Sequence, residues 1–285
     1  MHTATPADTA PLHVTRHAAD GTPVLMLHCS SASSSQWKPL AAQLDGSGAM
    51  PLAVDLHGHG RSPAWPADAR DTLAVDAQAA WQALGLGHEA VHLVGHSYGA
   101  AVALQMALMH PSRVRSMALY EPVPFGLLST DHAEQAPGRL EIETVALRVA
   151  YLLDAGRPHD AGRCFSNYWA DGDAWGAADA VQRDRIAARM PTVRRHFAAL
   201  LALRWSAPQL RRLQMPVLLM HGTRTREPAR ALSWQLARLL PRVTHVPLPG
   251  AGHLGPVSHA SVVAAFFASR LRQQIGAPRP LPLAA

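Results

Sequence analysis

Val94-Gly95-His96-Ser97-Tyr98-Gly99-Ala100 sets a serine between two glycines, where a strand-like run gives way to a helix-like one. Ala90 to Val94 (A-V-H-L-V) has the apolar, β-branched character of a buried strand, and Ala100 to Met109 (A-A-V-A-L-Q-M-A-L-M) has the small and straight-chain residues of a helix. The chain must turn sharply at Ser97. Such a turn leaves no room for side chains two residues to either side, which accounts for Gly95 and Gly99. It presents the hydroxyl at a helix N-terminus, where the dipole and the first-turn amides favour developing negative charge. Ser97 therefore reads as a nucleophile.

Working outward, strands and helices alternate. Leu12 to His17 and Pro23 to His28 read as an antiparallel hairpin, the second arm being a buried central strand. The small-residue loop Cys29 to Ser35 follows, then a short helix over Gln36 to Leu44. A strand over Met50 to Asp55 ends in D-L-H-G-H-G-R-S, whose Gly58 and Gly60 imply a tight turn. A helix from Asp71 to Leu84 crosses back to the strand before Ser97, and Ser116 to Glu121 forms the next strand. This β-α-β-α rhythm predicts an α/β fold with a mostly parallel sheet. Between Pro122 and Ala207 no strand is expected, while Leu140 to Leu153 and Asp179 to Leu203 carry helical periodicity. Strands resume at Pro216 to His221 and Val243 to Leu248, helices are expected over Pro228 to Leu240 and Val257 to Leu271, and a proline-rich tail closes the chain. The expected organisation is a core of residues 1–121 and 208–272, a helical lid of residues 122–207 and a tail of residues 273–285.

Composition narrows the function classes. The 285 residues suffice for one large core with an inserted subdomain. Net charge is +6 and Lys38 is the only lysine, but the arginines occur as doublets such as Arg194-Arg195, not as a stripe, so nucleic acid is not an expected partner. Cys29 and Cys164 lack metal-ligand spacing and are too few for a disulfide framework. The stretch from Met1 to Pro11 has no signal-peptide pattern and no run reaches membrane-spanning length, so a cytoplasmic protein without a membrane partner is expected.

Four motifs together resemble the α/β-hydrolase superfamily across Leu12 to Leu271: the loop at His28 and Cys29, D-x-x-G-x-G-x-S at Asp55 to Ser62, the elbow at Gly95 to Gly99, and G-x-G-H at Gly250 to His253. The resemblance implies a twisted sheet flanked by helices, Ser97 as nucleophile, His253 as general base, and the helical insertion as a lid. It also implies an oxyanion hole made by the backbone N–H groups of Tyr98 and Ser30, with no metal or organic cofactor. His253 stands on chemistry as well, because a serine hydroxyl needs an imidazole able to reach it, and this one follows the last strand on the same sheet edge as the elbow.

In most relatives an aspartate follows the strand at Pro216 to His221; here the text is H-G-T-R-T and Thr225 stands in its place. Two carboxylates are open as replacements, Glu227 and Glu121. Glu121 is favoured, because some branches of the superfamily place a glutamate at the end of the strand after the elbow helix, here Ser116 to Glu121, and Ser97, Glu121, His253 keep the family's chain order. Glu227 precedes Pro228 and reads as the first turn of a helix.

The expected chemistry is a serine hydrolase acting on an ester or related acyl small molecule. Phe125, Tyr168, Trp169 and Trp175 are candidate pocket aromatics. Carbon–carbon bond hydrolysis by the same three residues is an alternative within enzymes. A binding protein without turnover is the alternative from another class, kept open by the missing aspartate. Epoxide or haloalkane hydrolysis is disfavoured because those relatives need a carboxylate where this elbow carries serine.

Overall fold

A computed structural model describes residues 10–65, 72–85, 87, 89–170 and 172–275. The expectations for Met1 to Thr9, for Asp71 and for Gly276 to Ala285 lie outside these residues. Seven strands form one sheet: β1 (Val14–Arg16), β2 (Thr22–Leu27), β3 (Ala49–Val54), β4 (Val91–His96), β5 (Val114–Tyr120), β6 (Val217–Gly222) and β7 (Val243–Leu248). Their order is β1-β3-β2-β4-β5-β6-β7, and every pairing is parallel except β1 with β3. The fold is the α/β-hydrolase fold expected from the motifs.

The expected hairpin is not formed. β1 pairs with β3, in the register Val14↔Val54, instead of with β2. The reason is burial: from Pro23 to Leu27 β2 is buried throughout, and it is hydrogen-bonded to β3 and β4 on its two sides, which leaves β1 only the sheet edge.

The sheet carries apolar residues on both faces, and helices cover each. Val24, Met26, Val94 and Met220 pack with α1 (Lys38–Gln43) and with the C-terminal helix through Leu40 and Phe267. Leu25, Leu27, Leu93 and Leu219 face the opposite way, toward α2 (Thr72–Ala83) and α3 (Tyr98–Met109). Nine of the twelve residues of α3 are buried, which is why it reads as apolar all round.

Between β5 and β6 the described residues form α4 (Ala136–Asp154), α5 (Pro158–Trp169), α6 (Ala174–Ala177), α7 (Ala180–Ala202) and α8 (Ala207–Arg211). The spans of α4 and α7 follow the periodicity. α5 escapes it because P-H-D-A-G-R-C-F-S-N-Y-W is poor in helix formers; packing holds it, and Gly162 lets the Trp175 ring approach to where a Cβ would lie 2.7 Å from it. After β6 come α9 (Glu227–Leu239), α10 (Gly255–Ser258) and α11 (Ala260–Ile275). Residues 273–275, expected in the tail, continue α11. No helix among the described residues is long and apolar enough to cross a membrane.

Candidate active site

Parallel strands end on one edge of the sheet, and Ser97, Glu121, His253 and Ser30 converge there. Ser97 follows β4, with φ 56° and ψ −117°; Glu121 follows β5 with φ 42°; Ser31, with φ 62°, lies in the loop after β2. These are the non-glycine residues of positive φ among those described, and each such conformation costs on the order of 1–3 kcal/mol. The sheet holds the first two in place: Ser97 N–H donates to the Tyr120 carbonyl at 3.0 Å and Glu121 N–H to that of Met220 at 2.9 Å.

The elbow glycines follow from contact. A Cβ on Gly99 would sit 2.3 Å from the Leu27 carbonyl oxygen and 2.4 Å from that of His28, and one on Gly95 would sit 2.5 Å from the Ala100 Cα. All three neighbours are backbone and cannot swing aside. Gly99→Ala is expected to lower stability by about 3 kcal/mol or more, or to prevent folding, as a urea unfolding midpoint would show.

Ser97, Glu121 and His253 form one hydrogen-bonded line. The Ser97 hydroxyl donates to His253 Nε2 at 2.9 Å, and His253 Nδ1–H donates to Glu121 Oε2 at 2.6 Å. Ser97 is 6 %, His253 4 % and Glu121 0 % exposed, so the line is almost fully withdrawn from water. Glu121 is a buried carboxylate with both oxygens engaged: Oε1 accepts the Gly222 N–H at 2.7 Å and Oε2 also accepts the Thr225 hydroxyl at 2.7 Å. Thr225, standing where an aspartate was expected, thus donates to the carboxylate that follows the neighbouring strand. Glu227 is elsewhere, in the first turn of α9, where it pairs with the Arg230 guanidinium at 3.0 Å.

Tyr98 is anchored from both ends. Its hydroxyl donates to Asp76 Oδ2 at 2.8 Å, and Asp76 Oδ1 accepts His57 Nδ1–H at 2.6 Å; burial pushes the Asp76 carboxyl up while these donors oppose the shift. Its ring lies 3.4 Å from that of His196 at an interplanar angle of 11°. In the loop after β2, Cys29 N–H donates to Gln36 Oε1 at 3.2 Å, Ser31 N–H to His59 Nε2 at 3.0 Å and Ala32 N–H to the Cys29 carbonyl at 3.3 Å. Ser30 N–H has no partner among the described residues, and Ser30 lines the same cavity as Ser97. Burial pushes the Cys29 thiol up to about 12, so it stays protonated and inert.

That cavity has a volume of about 250 Å³. Ser97 and His253 line it together with Phe125, Trp169, Phe197 and Leu200, and no charged side chain does so among the described residues. Of the four expected aromatics, Phe125 and Trp169 are there, the Trp169 ring 3.9 Å from that of His253. Tyr168 and Trp175 are not. Tyr168 turns to donate to Glu141 Oε1 at 3.0 Å, and Trp175 packs over Gly162. Among the lining residues not singled out from the sequence, His196 on α7 is polar and lies with its Nδ1 2.6 Å from Ser30 Oγ. Its only signal is a histidine in the buried stripe Met190, Val193, Phe197, Leu200, a pattern that more often marks packing.

A family model described as alpha/beta hydrolase fold matches residues 22–260. The chain belongs to the α/β-hydrolase family. Within it, 131 residues are 38 % identical to a haloalkane dehalogenase of Agrobacterium fabrum, covering 44 % of this chain and 40 % of that protein. Over 149 residues the chain is 35 % identical to lipase LipV of Mycobacterium tuberculosis, covering 47 % of this chain and 55 % of that protein. The matches thus span about half or less of the length of these two α/β-hydrolase relatives. In three dimensions the chain is similar to a thermophilic esterase from Thermogutta terrifontis, with TM-score 0.72 and 23 % identity over 95 % of this chain and 96 % of that one, a likeness of fold.

Proposed function

We propose that this protein is a serine hydrolase that cleaves a carboxylic ester or related acyl substrate through an acyl-enzyme. The observation that carries the reading is the unbroken line from the Ser97 hydroxyl through His253 to Glu121, ending in the cavity. Ser97 Oγ attacks the carbonyl carbon while its proton passes to His253 Nε2. Glu121 holds the imidazole with its proton on Nδ1 and balances the imidazolium that forms. The Tyr98 and Ser30 N–H groups receive the oxyanion. His253 then returns the proton to the leaving alcohol, and a water activated by the same nitrogen releases the acid.

The uncharged, largely apolar lining favours a neutral acyl group over a charged one, since an unpaired ion there would lose its hydration. Residues 122–207 act as the lid, because Phe125, Trp169, Phe197 and Leu200 all come from that stretch. The lipase and esterase among the similar proteins agree with this reading. The Agrobacterium dehalogenase does not extend it to halides, because the elbow here carries serine.

Hydrolysis of short p-nitrophenyl esters, with fluorophosphonate labelling mapped to Ser97, is the test. Turnover with labelling is expected; absence of both would favour a binding protein that keeps the fold. Thr225 offers a finer check. Thr225→Val removes one of the three donors to Glu121, and a hydrogen bond to a charged group is worth about 1.5–3 kcal/mol. A fall in kcat of roughly tenfold or more is therefore expected, with KM little changed. Steady-state kinetics on the same ester would decide it.

A further inference from the structure

The roles above use the backbone of Ser30 and leave its side chain idle, yet that side chain is held more tightly than an idle one requires. Ser30 Oγ lies 2.6 Å from Nδ1 of His196, a residue 166 positions away on α7. His196 is 1 % exposed and fixed in plane, its ring stacked on Tyr98 at 3.4 Å and on His59 at 5.4 Å, with the edge of Trp65 at 5.1 Å. Ser30 and His196 both line the cavity that Ser97 opens into.

We propose that the Ser30 hydroxyl is a third donor to the oxyanion, beside the Tyr98 and Ser30 N–H groups, and that His196 positions it. The proposal rests on the acyl-transfer reading. Its first support is the tautomer. His196 Nε2 is buried without a partner. Were the proton on Nε2, the orphan would be a buried N–H; with the proton on Nδ1 it is only a lone pair, and buried orphan donors are the rarer case. In the Nδ1–H form the ring donates to Ser30 Oγ, so the hydroxyl hydrogen is not consumed by His196 and can turn toward a substrate oxygen. The ring is neutral, since burial and the neighbouring His59 and His28 push its pKa well below the usual histidine value.

The second support is the charge that develops. An O–H donor to an oxyanion makes a short, charge-assisted bond, and an N–H donor behind it polarises that O–H further. The pair therefore binds the tetrahedral intermediate more strongly than the ground-state carbonyl. The arrangement also makes α7 part of the oxyanion site, so the lid contributes to the chemistry and not only to the walls.

The test is kinetic, on the purified full chain with p-nitrophenyl butyrate. Ser30→Ala should lower kcat by about 10²-fold with KM within about threefold, the loss typical of one oxyanion donor, while Ser30→Thr, which keeps the hydroxyl, should retain most activity. His196→Phe keeps the stack on Tyr98 but not the N–H, and should lose a similar factor. The double variant should be no worse than Ser30→Ala, because the two act as one unit. A trifluoromethyl ketone, which forms an oxyanion on Ser97, should weaken by the same factor as kcat, a correlation that general loosening of the fold would not produce. An active parent whose Ser30→Ala variant keeps its kcat, or single losses that multiply in the double variant, would overturn this proposal alone. A parent that neither turns over nor takes up fluorophosphonate would overturn the acyl-transfer reading and this proposal with it.

Discussion

Ser97→Ala will lower kcat on an activated ester by roughly 10⁶-fold, the scale seen when a serine nucleophile is removed from a working triad. Glu121→Gln will cost about 10⁴-fold, and the contacts say why. Gly222 N–H points at Oε1 of residue 121, so an amide there must present its oxygen to Gly222 and its NH₂ to His253 Nδ1. That forces the imidazole proton onto Nε2, where it faces the Ser97 hydroxyl and cannot accept the proton. Thr225 does not oppose the flip, because its hydroxyl can rotate to donate elsewhere. Glu227→Gln, which alters only the pairing with Arg230 in α9, is expected to stay within twofold of the parent. Parallel kcat measurements on the three variants decide the acid. A large loss at Glu227 with none at Glu121 would reverse the assignment.

The second large effect is on stability in mild acid. His28 is held neutral: its Nδ1–H donates to the Cys29 carbonyl at 2.7 Å and its Nε2 accepts the Leu56 N–H at 3.0 Å, leaving no acceptor for a second proton. His59 is bound in the same way between the His57 carbonyl and the Ser31 N–H. Burial pushes His28 down to about 4, His59 to about 3 and His92 to about 4, and lowers His96 and His196 well below the usual 6.5. The unfolded chain takes up these protons near pH 6.5 and the native state does not, so the unfolded state binds more protons below that value. Stability is therefore complete above pH 6.5. It falls as pH drops from 6.5 toward about 4, where His28 and His92 begin to titrate in the folded state. Each such histidine withdraws up to about 1.4 kcal/mol per pH unit in that window. Urea midpoints at pH 7, 6 and 5 should fall steeply, and His28→Gln, if folded, should reduce the slope by about one proton. A midpoint flat from pH 7 to 5 would contradict this account.

The sequence was informative wherever local sterics or chain order carried the constraint. Gly95 and Gly99 are demanded by backbone contacts within a few residues of the elbow or with the adjoining strand, and the text G-H-S-Y-G records that demand directly. His253 was legible because it follows the last strand on the edge that presents Ser97. Glu121 was legible by difference: a carboxylate ending an apolar strand where Thr225 had taken the usual place of the acid. What joins the two residues, the Thr225 hydroxyl on Glu121, is a contact across 104 positions that no pattern announces. The same holds for Ser30 and His196. His196 is one of 17 histidines and sits at a spacing that belongs to core packing, so only its neighbours in space single it out. β1 went to the far side of β3 for a similar reason, since the competition between β3 and β4 for the sides of β2 is settled by the whole sheet and not by the turn at Ala18 to Thr22.

Glu121 is also the last residue before the chain leaves the sheet for the helices that end at α8. A carboxylate after β6 would stand on the far side of that excursion; Glu121 stands at its threshold. For anyone exchanging the stretch between β5 and β6 with that of another family member, the junction is thereby fixed. A cut after Glu121 keeps Ser97, Glu121 and His253 together on one scaffold, while the graft replaces the helices that supply Trp169, His196, Phe197 and Leu200 to the cavity. A cut a few residues earlier would import the donor's strand end and remove the partner of His253. Even a correctly placed graft would lose His196 and with it the contact that Ser30 Oγ makes to α7.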